Sequence, residues 1–157
     1  MSTLQEATDC WDTVENRLSG WLNERQELIE IFCILTDIAE KKPHPKILSR
    51  TVQRFCVILM DYISAGHFEI YEELVTEAKV FNDRNVSVVD HIYPDIDTTT
   101  ELALVFNDTY EANLQKEIPL KNLNEDLKNL GQALELRFAL EDFLIEKLHS
   151  NHKMRVA

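Results

Sequence analysis

Glycine and proline are nearly missing from the chain, with 3 of the first and 4 of the second in 157 residues, against usual levels of about 7% and 5%. Tight hairpin turns need glycine at positive φ, and phosphate-cradling loops need its missing side chain. Hairpin-rich β folds and glycine-rich nucleotide loops are therefore disfavoured. Cysteine is also sparse. Cys10, Cys33 and Cys56 form an odd set with no Cys-x-x-Cys pair and no histidine at zinc spacing, so they read as reduced, small core residues. Long apolar runs are absent too. The longest, Ile29 to Ala39, is interrupted by Glu30 and Asp37 and falls short of the roughly 20 residues that span a membrane. Met1 to Cys10 has neither a cationic leader nor an apolar core, which makes a cytoplasmic location the expectation.

Positive charge is the other deficit. Sixteen Lys and Arg against 28 Asp and Glu give a net charge of -12, and such a surface repels a polyanion while suiting a basic protein partner. The balance is uneven. Residues 41 to 66 alone are net basic, with Lys41, Lys42, Lys46, Arg50 and Arg54 against Asp61. Most of the acidic strips read as solvated helix faces.

What is present in quantity is apolar residues, 45% of the chain, enough for one domain over 1–157 with 1–10 and 153–157 expected to fray. Trp11, Val14, Leu18, Trp21, Arg25, Leu28, Phe32 and Leu35 alternate spacings of 3 and 4, a helix with one seam from about Leu4 to Glu40, which Ser19-Gly20 could kink. Lys41-Lys42-Pro43-His44-Pro45 forces a loop. A second helix follows over Ile47 to Ala65, closed by a left-handed Gly66, and His67 opens a third that reaches Phe81. These two meet at a sharp corner. Asn82 to Asn85 reads as a break, Val86 to Tyr93 as a short helix, and Pro94 as its stop. Asp95, Asp97 and Thr98 are candidate caps for a helix to Glu117 with Leu102, Val105, Phe106, Tyr110 and Leu114 on its apolar side. Pro119 precedes a last helix carrying Leu123, Leu127, Leu130, Leu134, Phe138, Leu144, Ile145 and Leu148. The expected fold is all-α: an antiparallel helical bundle of four or more long helices with short connecting helices.

Catalytic chemistry finds little support. A ferritin-like di-metal site takes two Glu-x-x-His motifs, and only Glu146-x-x-His149 fits. Asp90, Asp95, Asp97 and Glu101 lack the glycine that an EF-hand loop requires. No Gly-x-Ser-x-Gly elbow occurs. The expectation is a protein with no catalytic residues, no metal and no cofactor.

Two features stand out. Continuing the 4-and-3 spacing past Leu134 puts Arg137 and Glu141 on a seam where apolar residues belong, as Arg25 does on the first helix. Helix drift of about 20° per heptad would return them to the rim, whereas a buried network, drawing in Asp61, would hold them inside. The second feature is the corner Asp61 to Glu72, which crowds Tyr62, Ser64, His67, Phe68 and Tyr71 into one turn. That composition suits a protein contact or a tightly packed corner with His67 as a cap.

The run Phe55-Cys56-x-x-Leu59-x-Asp61-Tyr62-x-Ser64-Ala65-Gly66-His67-Phe68-Glu69-Ile70-Tyr71-Glu72 resembles the signature of the regulator of sigma D (Rsd/AlgQ) family of bacterial anti-sigma factors. Trp21-Leu22-x-x-Arg25 and Leu134-Glu135-x-Arg137-Phe138-x-Leu140-Glu141-Asp142-x-Leu144-Ile145 resemble it in order and spacing, so the likeness runs from about Trp21 to Leu148. The loop Lys41 to Ser49 does not align, and Met60 stands where a smaller aliphatic residue is expected. The resemblance implies a helical, non-enzymatic protein that binds region 4 of the primary sigma factor, the module that reads the promoter minus-35 element, and shifts polymerase toward alternative sigma factors. It implies Asp61, Ser64 and Phe68 as contacts, with Tyr62, His67 and Tyr71 supporting them, and leaves Arg25, Arg137 and Glu141 as contact or scaffold. The family also admits another partner, the phosphotransferase-system phosphocarrier protein, which would make the chain a signalling adaptor. A monomer or weak homodimer, with no direct nucleic-acid or membrane binding, completes the expectation.

Overall fold

A computed structural model describes residues 3–111 and 120–156. Helix α1 (Thr3–Glu40) runs unbroken for 38 residues, about 57 Å at the standard rise, and Ser19-Gly20 does not divide it. Its alternating seam buries Val14, Leu18, Trp21, Leu28, Ile31, Leu35 and Ala39. His44 Nδ1 accepts from the Lys46 amide at 3.1 Å and Pro45 takes the first turn of α2 (Pro45–Ala65), where a proline loses no hydrogen bond. Helix α3 (Tyr71–Val80) ends where Asn82 adopts φ 54, a left-handed cap that asparagine tolerates.

Between α2 and α3 there is no corner. Gly66–Ile70 forms a π-helical turn that carries one helix into the next, and Gly66 sits at φ -57, ψ -56 rather than in the left-handed region. Glycine fits there because the space is tight. A Cβ at Gly66 would meet Trp21 at 3.1 Å and the Tyr71 hydroxyl at 3.2 Å.

The break at Pro94 is also absent. Asp83 accepts from the Asn85 amide at 2.8 Å and starts a 3-10 turn, Arg84–Ser87, that feeds α4 (Val88–Tyr110). The helix therefore begins well before Pro94, which costs it one internal hydrogen bond and leaves Asp95, Asp97 and Thr98 inside the helix rather than capping it. Its buried seam is Val89, Ile92, Ile96, Thr99, Ala103, Phe106 and Tyr110, and Leu102 and Val105 face outward. Leu114, Glu117 and Pro119 lie outside the described residues.

Helix α5 (Leu123–Leu148) packs on α4 and α1, and a 3-10 turn, Ser150–His152, leads into α6 (Lys153–Val156) against α1. Thr3 to Cys10, expected to fray, is helical with Ala7 buried. The result is an all-α bundle whose core joins α1, α2, α4 and α5 through Leu28, Leu35, Val52, Phe55, Leu59, Ile96, Leu127 and Leu144. Of the cysteines only Cys56 is a core residue. Cys10 is half-buried and Cys33 exposed. No described helix is long and apolar enough to cross a membrane.

Candidate protein interface

The segment Asp61 to Glu72 divides between inside and outside. Tyr62 and Tyr71 are buried and Asp61 and Phe68 are exposed, with Ser64 and His67 half-buried at the border. Phe68, at 75%, is the most exposed large apolar side chain among the described residues. Exposure of a whole aromatic ring to water is unfavourable by a few kcal/mol relative to burial. Exposed Glu69 and Glu72 follow it in the chain. Burial first, and then the charges of Asp61, Glu69 and Glu27, push the Glu24 carboxyl up. Carboxylates from α1, α2 and the π turn are thus crowded on one side of the molecule, an arrangement that a cationic partner relieves.

Beneath that surface lies the network that the seam charges announced. Arg137 and Glu141 are both buried, one turn apart on α5, with Arg137 Nε 3.3 Å from Glu141 Oε2. Arg137 Nη1 donates to Thr99 Oγ1 at 3.1 Å and Thr100 Oγ1 at 2.7 Å, and Nη2 donates to the Tyr71 hydroxyl at 3.0 Å. The Tyr62 hydroxyl donates to Glu141 Oε1 at 2.5 Å and the Tyr71 hydroxyl donates to Oε2. Arg25 closes the outer side, with Nε to the Tyr62 hydroxyl at 2.9 Å and Nη1 to Asp142 at 2.5 Å, its guanidinium 4.8 Å from the Phe138 ring centroid. Burial, and then the Glu141 charge, push both phenols up. They stay protonated and act as donors.

Two guanidinium groups facing one buried and one exposed carboxylate leave no net charge in this network, and its buried members have partners. Of the two alternatives for the seam charges the buried network is the one found, but Asp61 takes no part in it. It is exposed on α2 and lines a groove of about 710 Å³ with Asn107 and Glu111. Nor is His67 a cap: its Nε2 pairs with Thr100 Oγ1 at 2.8 Å. Burial, and then the Arg137 charge, hold its pKa below the ordinary value. Trp21 stacks on Tyr62 at 4.7 Å and donates to the Tyr62 carbonyl at 3.1 Å. Together they fix the helix that presents Asp61.

A second buried cluster went unread in the sequence. His149 Nε2 lies 2.5 Å from Glu15 and Nδ1 2.5 Å from Glu77, while His152 bridges Glu77 at 2.6 Å and Asp83 at 2.7 Å. Trp11 stacks on His149, and Phe81 on His152. This ladder fastens the carboxyl-terminal turns to α1 and α3. It leaves His149 no nitrogen for a metal. Among the described residues no group of histidine, cysteine, aspartate or glutamate is arranged to hold a metal ion. Glu77 falls on the buried seam of α3 after Leu74, the signal that could have revealed it, as Thr99 on the seam of α4 could have revealed the Arg137 site.

An all-helical body with a paired charge network inside and the exposed Phe68 ring on a face rich in carboxylates has the features of a protein-contact surface. Over residues 1–149 the chain matches the family described as Regulator of RNA polymerase sigma(70) subunit, Rsd/AlgQ, and it belongs to that family. A Regulator of sigma D from Yersinia pseudotuberculosis serotype O:1b (strain IP 31758) is 31% identical over 130 residues, covering 82% of this chain and 77% of the relative. The Regulator of sigma D of Pectobacterium atrosepticum is 26% identical over 152 residues, covering 96% of this chain and 99% of the relative. No solved structure matches the chain.

Proposed function

We propose that this protein is a stoichiometric anti-sigma factor. It binds region 4 of the primary sigma factor in the cytoplasm and covers the surfaces with which that module meets promoter DNA and the polymerase core. Polymerase is thereby released to alternative sigma factors. One domain suffices, with no cofactor and no catalytic step.

The observation that carries this reading is the exposed Phe68 ring, next in the chain to Glu69, whose carboxylate crowds Glu24 together with Asp61; Asp61, Phe68 and Glu69 all fall within the segment that resembles the family signature. A module that reads DNA must present basic residues, and a crowded carboxylate face complements them and speeds encounter. Phe68 supplies the apolar anchor, Asp61 accepts from a cation of the partner, and Ser64 lies between them on the same face. Tyr62, His67 and Tyr71 support the contact from below.

The test is a calorimetric titration of isolated region 4 at two salt concentrations. The expected result is binding that weakens as screening rises. No heat at tens of micromolar protein, at either salt concentration, refutes the proposal. The phosphocarrier protein, titrated in the same way, serves as the comparison ligand.

A further inference from the structure

Helix α2 has two seams. The inward one is Leu48, Val52, Phe55, Leu59 and Tyr62, all buried. The outward one is Ile47, Arg50, Arg54, Val57, Asp61 and Ser64, spaced 3, 4, 3, 4 and 3, the alternation with which one helix packs along another. Ile47 and Val57 on it are 52% and 61% exposed. Arg50, Arg54, Val57 and Asp61 line the groove that α2 forms with Asn107 and Glu111 at the end of α4.

The charge along this seam reverses. At one end Asp61 joins the carboxylate face described above, and at the other Lys46, Arg50 and Arg54 follow one another at four-residue intervals. These three cations stand out on a chain of net charge -12. Among the described residues the ion pairs engage Arg17, Arg25, Lys41, Arg137, His149 and His152, and none of Lys46, Arg50 or Arg54. Unpaired cations alternating with exposed aliphatic side chains at helix-packing spacing form a template for an acidic amphipathic helix.

We infer that the outward seam of α2 is the second half of the docking face. It takes a helix of the sigma partner bearing acidic residues opposite Arg50 and Arg54, apolar ones opposite Ile47 and Val57, and a basic one opposite Asp61. This inference rests on the anti-sigma reading and extends it from a basic partner surface to a bipolar one. From Ile47 to Ser64 the seam spans roughly 25 Å, so the partner helix runs about five turns. The reversal fixes its direction, because only one orientation pairs both ends.

The test compares three proteins in titrations against the primary sigma factor: the wild type, the Arg50→Glu/Arg54→Glu variant, and a Lys121→Glu/Lys128→Glu control. The control makes the same change in net charge at exposed sites, Lys121 in the 3-10 turn that precedes α5 and Lys128 on α5 itself. Both pairs are on the surface, so circular dichroism and thermal unfolding should match wild type. The expected result is at least a tenfold loss of affinity for the α2 variant and less than threefold for the control. Equal losses in the two variants, no loss, or tighter binding by the α2 variant each overturn the inference while the anti-sigma reading stands. Failure of the wild type to bind overturns both.

Discussion

Replacing Phe68 by alanine separates contact from scaffold. A phenylalanine buries about 200 Å² when enclosed, and 75% of this side chain is exposed, leaving about 150 Å² for a partner to cover. Alanine retains about a third of that, so about 100 Å² of apolar burial is lost on binding. At ~25 cal/mol per Å² the loss is about 2.5 kcal/mol, or roughly a 60-fold rise in Kd for region 4. Folding should be untouched, because the ring is already in water. Calorimetry measures the first quantity, and circular dichroism with thermal unfolding measures the second. Affinity within about threefold of wild type, on a protein of normal helicity and Tm, refutes the assignment of Phe68 as anchor. A large fall in Tm refutes its exposure and makes it a core residue.

Arg137→Met should behave oppositely. It strips Thr99, Thr100 and Tyr71 of their shared donor and leaves Glu141 to Arg25 and the two phenols, at a cost of about 3 kcal/mol or about 9 °C in Tm. Region 4 affinity measured below the transition should hold within threefold. An unchanged Tm contradicts the network's structural role.

The histidine ladder predicts a pH dependence. Burial alone would lower the His149 pKa, but the hydrogen bonds and charges of Glu77 and Glu15 outweigh it and hold the value above 6.5. A raised folded value means that the stabilisation is complete below the unfolded pKa and is lost as pH rises through the folded one. For Asp83 burial acts upward, but the Asn85 amide and His152 outweigh it and depress its carboxyl below 3.8, so its share is lost only as pH falls through that depressed value. Between pH 6 and 9 the Tm of wild type should therefore fall more steeply than that of His149→Gln. Parallel profiles contradict the ladder. Cys10, Glu73, Arg17 and Arg155 also lie around this cluster, and all are common to both proteins.

The helices were legible because burial imposes a 3-and-4 spacing that survives in sequence, as it does from Trp11 to Leu35. Arg137 and Glu141 were legible as charges out of place, but their partners were not, since Tyr62, Tyr71 and Thr99 reach them from other helices. Gly66 misled because a glycine after a helix serves a left-handed cap more often than it clears space for Trp21. Pro94 misled because its helix is started upstream by Asp83, and Leu102 and Val105 face outward because the face of α4 that packs runs through Ile96, Thr99, Ala103 and Phe106. The histidine ladder joins Glu15 to His149 across 134 positions, beyond the reach of any local pattern. Phe68 was legible as one aromatic of a crowded segment that suited either a protein contact or tight packing, and only the resemblance favoured the contact.

The most direct measurement is retention of minus-35 promoter DNA by isolated region 4 as this protein is titrated in. DNA binding should decline in step with occupancy and vanish at saturation. A region 4 that holds its DNA with undiminished affinity while fully bound by this protein contradicts the account.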